Sequence, residues 1–460
     1  MESMLERWFR LREHGTNVRT EVVGGVTTFI TMAYIIVVNP AILSFAGIPA
    51  GPSTVATILT AAFGTLLMGL YANRPIAVAP YMGENAFIAF GLAALGLTWQ
   101  QRLGTVFVAG AVFLVITLLG IRAWLANSIS PSMKHSFAVG VGLFLAFIGL
   151  YETGVVTSFV SGMPVEAIGT TAGGLLRRPD VPVKIGNLRD PAVWLAMAGF
   201  VLMTVLMCRR VRGALLLGIT ATGIVGVALG LGEAPRAWVA VPFQGEYSLA
   251  PVALQLDIAG ILRLSLAPVV LTLFLMSFLD TLGTLIGLGA AAKLLDERGN
   301  FPQVERPMLV DALACIFSGL IGTSTSGAYI ESATGIREGA RTGLAAVVTA
   351  GLFLMTLFFL PLVEPLQKLR FAYGPALVAV GVMMVGAVRQ IDFEDWTEAV
   401  PAFVTICLML FTYNIANGLT AGLALYPLIK LLAGRPREVN TGGWVLGGLC
   451  ALYFAVGLVH

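Results

Sequence analysis

The sequence predicts an all-α polytopic membrane protein with 14 transmembrane helices, arranged as two inverted repeats of seven. Of its 460 residues, 57% are hydrophobic and only 12% are charged, whereas soluble domains carry about 25% charged residues. No charged residue occurs between Glu21 and Arg74, and that length accommodates two crossings of about 20 residues each. The apolar segments form two sets of seven. Because seven is odd, the second set enters the membrane in the opposite sense to the first.

Hydropathy places the first repeat in 21–231 and the second in 264–434, with a polar connecting loop, 232–263, between them. The first set of spans lies near 21–44, 53–72, 76–97, 102–121, 133–151, 192–209 and 213–231. The second set lies near 265–291, 307–321, 324–338, 342–362, 374–388, 399–414 and 417–433. Residues 435–460 form a C-terminal segment whose apolar stretch, 443–458, either crosses the membrane or lies along it.

The distribution of basic residues predicts the orientation. Residues 1–20 are charged and amphipathic, and no signal-peptide cleavage pattern follows them. With this N-terminal segment in the cytoplasm, most of the 28 Lys and Arg residues fall on the inner side, as the positive-inside rule requires. The sequence therefore predicts a multi-pass protein of the cell (inner or plasma) membrane with cytoplasmic termini.

The third span of each repeat is unusual. Pro80 and Gly83 interrupt 76–97, while 324–338 is short and rich in Ser, Thr and Gly. Interrupted segments at matching positions of two repeats indicate broken helices that meet at the membrane midplane. Ordinary kinked helices are the alternative. A shared Arg-x-Gly opening, at 102–104 and 341–343, gives modest further support for the repeat.

Two acidic residues, Asp280 and Glu331, lie in otherwise apolar, Gly-rich stretches. A charge at bilayer depth costs about 2.5–3.5 kcal/mol on insertion scales, so it normally faces a cavity or a partner. The simpler alternatives are a local hydrogen bond for Asp280 and a helix cap for Glu331. A carboxylate accepts hydrogen bonds through two parallel oxygens and suits a planar ligand with adjacent N–H donors. It also binds and releases protons, which allows proton coupling.

Flat aromatic faces occur in the same segments, so a planar nitrogen heterocycle held between rings and carboxylates fits these parts. Other function classes lack support. The chain has no Walker-type loop, and its three histidines and four cysteines show no spacing typical of a metal or nucleophilic site. We therefore expect no enzyme activity, no cofactor, no bound metal and no nucleic-acid partner.

Three stretches together resemble one family: NVRTEVVGGVTTFITMAYIIVVNPAIL from residue 17, FLDTLGTLIG from 278 and GTSTSGAYIESATG from 322. They are similar to the azaguanine-type (AzgA-like) branch of the nucleobase–cation symporters. That branch comprises hypoxanthine, guanine and adenine permeases, and it is related to the uracil and xanthine permeases. The resemblance extends from about Asn17 to the end of the chain.

The resemblance implies a core domain, about 21–121 and 264–362, and a gate domain, about 133–231 and 374–434, in a homodimer. It places the substrate between the third and tenth helices, next to the eighth. Asp280 and Glu331 match family positions that contact the base or support its binding. The full predicted substrate-binding set is Tyr81, Glu84, Asn85, Phe87, Phe278, Asp280, Thr281, Tyr329, Glu331 and Ser332.

The chain departs from the family pattern in the third helix. The family usually reads APGMGLNAFFAF, and this chain reads APYMGENAFIAF, so that Tyr81 and Glu84 replace Gly and Leu. Upstream of Asp280, many members carry another Asp where this chain has Ser277. One carboxylate is lost and another gained nearby. The exchange either conserves the charge of the site or signals a different substrate or proton path.

The expected function is import of a purine nucleobase by proton symport, with an elevator-like movement of core against gate and H⁺ as the coupling ion. The first alternative is a transporter of the same fold for another N–H-rich heterocycle or for anions. Anion sites use half-helix N-termini without opposing carboxylates, so the acidic residues argue against that alternative. An intramembrane enzyme or sensor is a second alternative, and it would need paired aspartates or a signalling domain.

Overall fold

The structure is a computed structural model that describes residues 2–93, 95–121, 124, 128–162, 182–263, 266–292 and 303–455. Within these residues the chain is mostly helical, and nine helices are long and apolar enough to cross a membrane. The described part also contains three shorter apolar helices, Ala214–Ala228, Trp396–Phe411 and Thr441–Leu452. A helical, polytopic membrane fold is therefore confirmed, and the total of 14 spans stays a prediction.

The helices lie close to the predicted spans. In the first half they are α1 Glu2–Phe9, α2 Val18–Met32, α3 Ile35–Ser44, α4 Ala50–Leu70, α5 Met82–Ala86, α6 Trp99–Leu118, α7 Pro131–Glu152, α8 Pro191–Cys208 and α9 Ala214–Ala228. In the second half they are α10 Ile258–Ile261, α11 Ala267–Ala291, α12 Glu305–Ile321, α13 Ser332–Arg337, α14 Gly343–Thr356, α15 Leu360–Lys368, α16 Arg370–Val385, α17 Trp396–Phe411, α18 Ile415–Leu432 and α19 Thr441–Ala455.

Several helices begin at side chains that cap their first turn. Asn17 accepts a hydrogen bond from a backbone N–H at the start of α2, and Ser130 does the same for α7. Thr98 and Gln101 form a reciprocal capping box at the start of α6. These side chains satisfy N–H groups that have no partner within their own helix, which explains why the spans begin at these residues.

Two pairs of three-residue strands interrupt the helical architecture, and sequence reasoning did not predict them. β1 Val78–Pro80 pairs antiparallel with β4 Ser326–Ala328, in a register that places Ala79 opposite Gly327. β2 Val156–Ser158 pairs antiparallel with β3 Val183–Ile185 in the long loop of the first half. Because each strand is only three residues long, it carries too little alternation to be recognised in the sequence.

The β1–β4 pair lies in the interior, where both strands are buried. Thr65 of α4 accepts a hydrogen bond from the N–H of Val78 (2.9 Å) and donates one to its carbonyl (3.0 Å). Non-helical backbone inside a membrane needs such partners, because lipid offers none. The interior position of the pair brings the segments before α5 and α13 together, although they are far apart in the sequence.

Helix contacts within the described residues fall largely into two sets. In one set, α6 packs on α12, and α4 packs on α14 and α3. In the other set, α7 packs on α16 and α17, while α18 packs on α17 and α19. The division into a core and a gate domain stays a prediction.

The connecting loop 232–263 has little regular structure beyond a 3₁₀ turn, Gly245–Tyr247, and the short helix α10. It is held to helix ends by backbone hydrogen bonds, such as Asp257 N to Gln100 O at 3.0 Å and Leu254 N to Leu320 O at 2.7 Å. Part of the segment 152–191, between the fifth and sixth predicted spans, and the end of the apolar stretch 443–458 lie outside the described residues.

Candidate functional site

Two strand–helix units meet at the centre of the molecule. We call residues 78–91 the third-span unit and residues 326–337 the tenth-span unit. The third-span unit consists of β1, the short helix α5 and a π-helical turn, Phe87–Gly91. The tenth-span unit consists of β4 and the short helix α13. Two further backbone hydrogen bonds of 2.9 Å each extend their pairing, Tyr81 N to Thr325 O and Tyr329 N to Ala77 O.

An arginine caps the C-terminal end of the helix in each unit. The guanidinium of Arg102 donates to the carbonyls of Ile88 (3.3 Å), Ala89 (3.1 Å) and Leu97 (2.9 Å). Arg341 donates in the same way to the carbonyls of Ile336 (2.6 Å) and Ala340 (2.7 Å). The carbonyls of Ile88, Ala89 and Ile336 lie near the ends of the two helical segments, where carbonyl groups have no partner within the helix. The carbonyls of Leu97 and Ala340 lie beyond these segments. The Arg-x-Gly similarity in the sequence thus corresponds to a shared structural role.

Glu331 lies immediately before α13 and is half-buried. Its side chain makes no capping hydrogen bond to that helix. Instead, it accepts a hydrogen bond from the hydroxyl of Tyr34 at 2.8 Å. The preceding residue, Ile330, is 52% exposed. Glu331 is therefore held by one donor at the border of an accessible region, which leaves its other oxygen available to a ligand.

Asp280 lies on α11 and is also half-buried. Gly283 follows three residues after Asp280, and Gly287 four residues after Gly283, so all three lie on the same face of the helix. A Cβ added at Gly283 would meet no atom within 4 Å, and one at Gly287 would meet only Cδ1 of Ile330, at 3.6 Å. This face of α11 therefore borders open space beside Ile330, the residue that precedes Glu331. We call this space the open face.

A third acidic residue, Asp311 of α12, was missed by sequence reasoning. It is fully buried, and its Oδ2 accepts hydrogen bonds from Oγ1 of Thr281 (2.9 Å) and from the N–H of Ala328 (2.8 Å). The hydroxyl of Tyr81 lies 2.9 Å from Oγ1 of Thr281 and completes the chain. The available signal was the one used for Asp280, since Asp311 is a lone acid in the apolar run MLVDALACIF.

Asn85 belongs to a second buried hydrogen-bond network. Its Nδ2 donates to Oδ1 of Asn39 at 2.9 Å. Asn39 in turn donates to Thr57 (2.8 Å) and Thr323 (2.9 Å) and accepts from Ser324 (3.1 Å). The network joins α3, α4, α5 and the residues just before the tenth-span unit, so its main effect is to fix the positions of these elements. Sequence reasoning did not identify Asn39.

Glu84 differs from the other acidic residues. It is fully buried, and neither carboxyl oxygen has a hydrogen-bond partner in the structure. The charged group that interacts with it electrostatically is Asp280. Among the described residues, no Lys, Arg or His nitrogen lies within ion-pair distance of Glu84, Asp280, Asp311 or Glu331. The site therefore concentrates carboxyl groups without a balancing protein cation.

The aromatic residues of the predicted site have different positions. Tyr81 and Tyr329 have nearly parallel rings, with centroids 6.3 Å apart and an interplanar angle of 11°. A base held between two rings would need the rings to be about 7–8 Å apart, which is twice the 3.5–4 Å contact distance of carbon atoms. The two tyrosine rings are closer than that, so they lie against each other and leave no room for a base between them. Phe278 packs on Phe113 and Phe274, with centroids 5.8 and 5.7 Å away. Phe87 is buried against Gly91.

Ser332, the remaining predicted residue, is buried, and its hydroxyl accepts a hydrogen bond from the N–H of Ala77 at 3.0 Å. It therefore joins the tenth-span unit to the start of β1. The structure brings Tyr81, Thr281 and Asp311 into one hydrogen-bonded chain and places Asp280 within electrostatic range of Glu84. Phe278 and Phe87 instead contribute to aromatic and backbone packing.

A cavity of about 350 Å³ lies elsewhere, where the connecting loop meets α3 and α15. Its lining includes Tyr247, Glu364 and Lys368. Glu364 already accepts hydrogen bonds from Lys368 (2.7 Å) and from the hydroxyl of Tyr247 (3.1 Å). The charges that line this cavity are satisfied within the protein. The carboxyl groups at the open face have no protein cation within ion-pair distance among the described residues, so they give the better candidate site.

Comparison with known proteins agrees with this architecture. The transmembrane domain of a cyanobacterium bicarbonate transporter, BicA, superposes with a TM-score of 0.61 at 16% identity, covering 88% of this chain and 97% of that one. The murine anion transporter Slc26a9 in its inward-facing state gives a TM-score of 0.58 at 12% identity, covering 90% of this chain and 68% of that one. At these identities, the likeness concerns the fold alone.

Sequence relatives are closer and cover nearly the whole chain. A permease of Methanocaldococcus jannaschii is 43% identical over 98% of both chains. The adenine permease AdeP of Escherichia coli is 38% identical, covering 95% of this chain and 93% of the relative. The guanine/hypoxanthine permease PbuO of Bacillus subtilis is 35% identical, covering 94% and 96% respectively.

The family of xanthine and uracil permeases, described as the Permease family, matches residues 19–420. This match spans most of the chain and includes both strand–helix units and all the acidic residues of the candidate site. Members of the family are transporters rather than enzymes. The chain is therefore a multi-pass membrane permease that belongs to the xanthine/uracil permease family.

Proposed function

We propose that this permease imports a purine nucleobase of the hypoxanthine, guanine and adenine class by proton symport. The relatives named as adenine and guanine/hypoxanthine permeases support this substrate class. The transport cycle is an elevator-like movement in which the core carries the base past the gate. H⁺ is the coupling ion, because the site offers carboxyl groups that bind and release protons.

The observation that carries the proposal is the open face, which lies on the same side of α11 as Asp280 and beside the residue that precedes Glu331. Asp280 and Glu331 are both half-buried, a Cβ at Gly283 would meet no atom within 4 Å, and Gly287 lies beside Ile330. Glu331 is the better candidate for a pair of N–H donors from the base, since Tyr34 holds it in place and leaves acceptor capacity. Asp280 makes a second contact with the base or supports the site.

The two strand–helix units are proposed to be the broken third and tenth helices of a seven-plus-seven inverted repeat with 14 spans. The arginine caps support this assignment, because Arg102 and Arg341 satisfy the carbonyls of corresponding short helices. The two sets of packed helices correspond to the core, about 21–121 and 264–362, and the gate, about 133–231 and 374–434.

The remaining parts of the proposal concern the cellular setting. The protein lies in the cell (inner or plasma) membrane with its N-terminus in the cytoplasm, which the distribution of basic residues supports. It works as a homodimer, as the family resemblance implies. Cross-linking in native membranes tests the dimer, and labelling of a single cysteine introduced near the N-terminus tests the orientation.

Transport of inorganic or carboxylate anions is the second candidate, because the two solved structures of similar fold are described as bicarbonate and anion transporters. Asp280, Asp311 and Glu331, with no balancing protein cation among the described residues, would repel such a substrate in their ionised forms. The same groups would attract a neutral base that offers N–H donors. The charge of the site therefore favours the nucleobase.

A thermal-shift screen of the purified protein tests the proposed substrate class. Purines, pyrimidines, guanidine-like heterocycles and inorganic anions are added separately. A ligand that binds the folded state raises the apparent stability by mass action. We expect hypoxanthine, guanine or adenine to raise the melting temperature, and this rise to be lost in Glu331→Gln. Stabilisation by anions alone would contradict the proposal.

A further inference from the structure

Glu84 is an anomaly that base binding by Asp280 and Glu331 does not explain. It is 0% exposed, and both of its oxygens lack a hydrogen-bond partner. An ionised carboxylate loses its solvation in such a place and gains nothing in return. The same carboxyl group carrying a proton is neutral and costs much less. Burial without a donor therefore selects the protonated form of Glu84.

The surroundings of Glu84 reinforce this selection. On α11 its charged neighbour is Asp280, which is also acidic. The other titratable groups that interact with it are Tyr81, Tyr329 and Cys315, all of which are neutral at physiological pH in their ordinary state.

The two other helices packed on α5 add no cation to this environment. α3 contributes Asn39, which is hydrogen-bonded to Asn85, and α7 contributes Val141, which lies against Gly83. Neither side chain titrates. No positive charge that would favour an ionised Glu84 is therefore found among these neighbours.

Asp280, in contrast, borders the open face. N–H donors of a bound base would stabilise its carboxylate form, since hydrogen bonds to a charged acceptor are strong. Two adjacent carboxylates repel each other, so an ionised Asp280 requires a neutral Glu84. Binding of the base therefore promotes protonation of Glu84, and protonation of Glu84 promotes binding of the base.

We propose that Glu84 is the site of the co-transported proton and that it acts on the base through Asp280. The inference rests on the proposed function and assigns the coupling role within that site. Glu84 is a positioning residue in this scheme, because it need not touch the base. The proton stays on a Glu84 oxygen while the base is bound, moves with the core, and leaves when the base leaves.

The scheme predicts a pH dependence with a definite sign. Base binding is strongest at low pH, where Glu84 is protonated, and weakens as the pH rises through its titration. The apparent affinity falls in proportion to the protonated fraction, about tenfold per pH unit beyond the midpoint. The affinity stops falling when Glu84 is fully ionised. The total loss of affinity is then set by the coupling between the two sites, which is typically about 5- to 150-fold. By reciprocity, binding of the base takes up protons from the medium.

The test measures the affinity of purified full-length protein for hypoxanthine and for adenine between pH 5 and 9. Wild type should lose affinity as the pH rises. Glu84→Gln and Glu84→Leu, which are permanently neutral, should keep the high affinity of the acidic range at every pH. Glu84→Asp should retain the pH dependence. Glu338→Gln is the matched control, since this partly exposed acid pairs with Arg212 elsewhere, and it should behave as wild type.

Four results would overturn the inference. One is a wild-type pH dependence that persists in both Glu84→Gln and Glu84→Leu. Another is an affinity that depends on Na⁺ at constant pH rather than on protons. The third is the absence of purine binding to wild type at any pH, which would refute the proposed function as well. Binding without the predicted pH dependence would refute only the role of Glu84.

Discussion

The third-span and tenth-span units have the same construction but hold their acidic residues in opposite ways. Each unit is a short strand followed by a short helix with an arginine at its end. Glu84 is fully buried without a partner, whereas Glu331 is half-buried and accepts a hydrogen bond from Tyr34. The first environment gives the acid no donor, so it favours the neutral form, whereas the second gives the acid one donor. One framework can therefore provide a proton site on one side and a base site on the other.

The largest effect on uptake of the base is expected for Glu331→Gln, which changes the acid proposed to bind it. The amide replaces one acceptor oxygen with a donor, which would oppose an N–H group of the base. Leaving such groups unpaired costs about 1–3 kcal/mol, so uptake of radiolabelled hypoxanthine should fall by about 10- to 100-fold. Glu338→Gln serves as the control for expression and insertion. Wild-type uptake by Glu331→Gln would refute the assignment.

The arginine caps provide a second comparison. Arg102 is buried and serves three carbonyls, whereas Arg341 is partly buried and serves two. Each unsatisfied buried group costs about 1–3 kcal/mol. Arg102→Ala should therefore lower the thermal stability of the detergent-solubilised protein more than Arg341→Ala does. A larger loss of thermal stability in Arg341→Ala than in Arg102→Ala would contradict this difference between the two caps.

A smaller effect is expected for Tyr34→Phe, which removes only the hydroxyl that donates to Glu331. A net hydrogen bond contributes about 0.5–1.5 kcal/mol, so the affinity for the base should fall by roughly 2- to 10-fold. Its pH dependence should remain, because the change lies on the Glu331 side. Equilibrium binding at pH 5 and pH 8 measures both quantities. A lost pH dependence would place the proton near Glu331 instead.

Much of the architecture could be predicted because hydropathy alone marks segments that must cross a membrane. The helices α4, α6 and α7 lie within about three residues of their predicted spans. The unusual character of the third and tenth spans was visible from Pro80 and from the Ser-, Thr- and Gly-rich run before Glu331. Both signals are local in the sequence, which is why they could be used.

The contacts that organise the site could not be predicted, because they join residues distant in the chain. The pairing of β1 with β4 and the hydrogen bond from Tyr34 to Glu331 have no local pattern. Asp311 was detectable as a lone acid in an apolar run, but its partners, Thr281 and Ala328, were not. The stacking of Tyr81 on Tyr329 likewise depends on the strand register rather than on either segment alone.

The division of roles between Glu84 and Glu331 can be tested in one measurement with proteoliposomes. Accumulation of adenine or hypoxanthine driven by a proton gradient is compared with counterflow, which needs binding but no gradient. Glu84→Gln should retain counterflow and lose accumulation, and Glu331→Gln should lose both. If Glu84→Gln still accumulates the base like wild type, or if both variants fail in the same way, the two acids do not have the separate roles assigned to them.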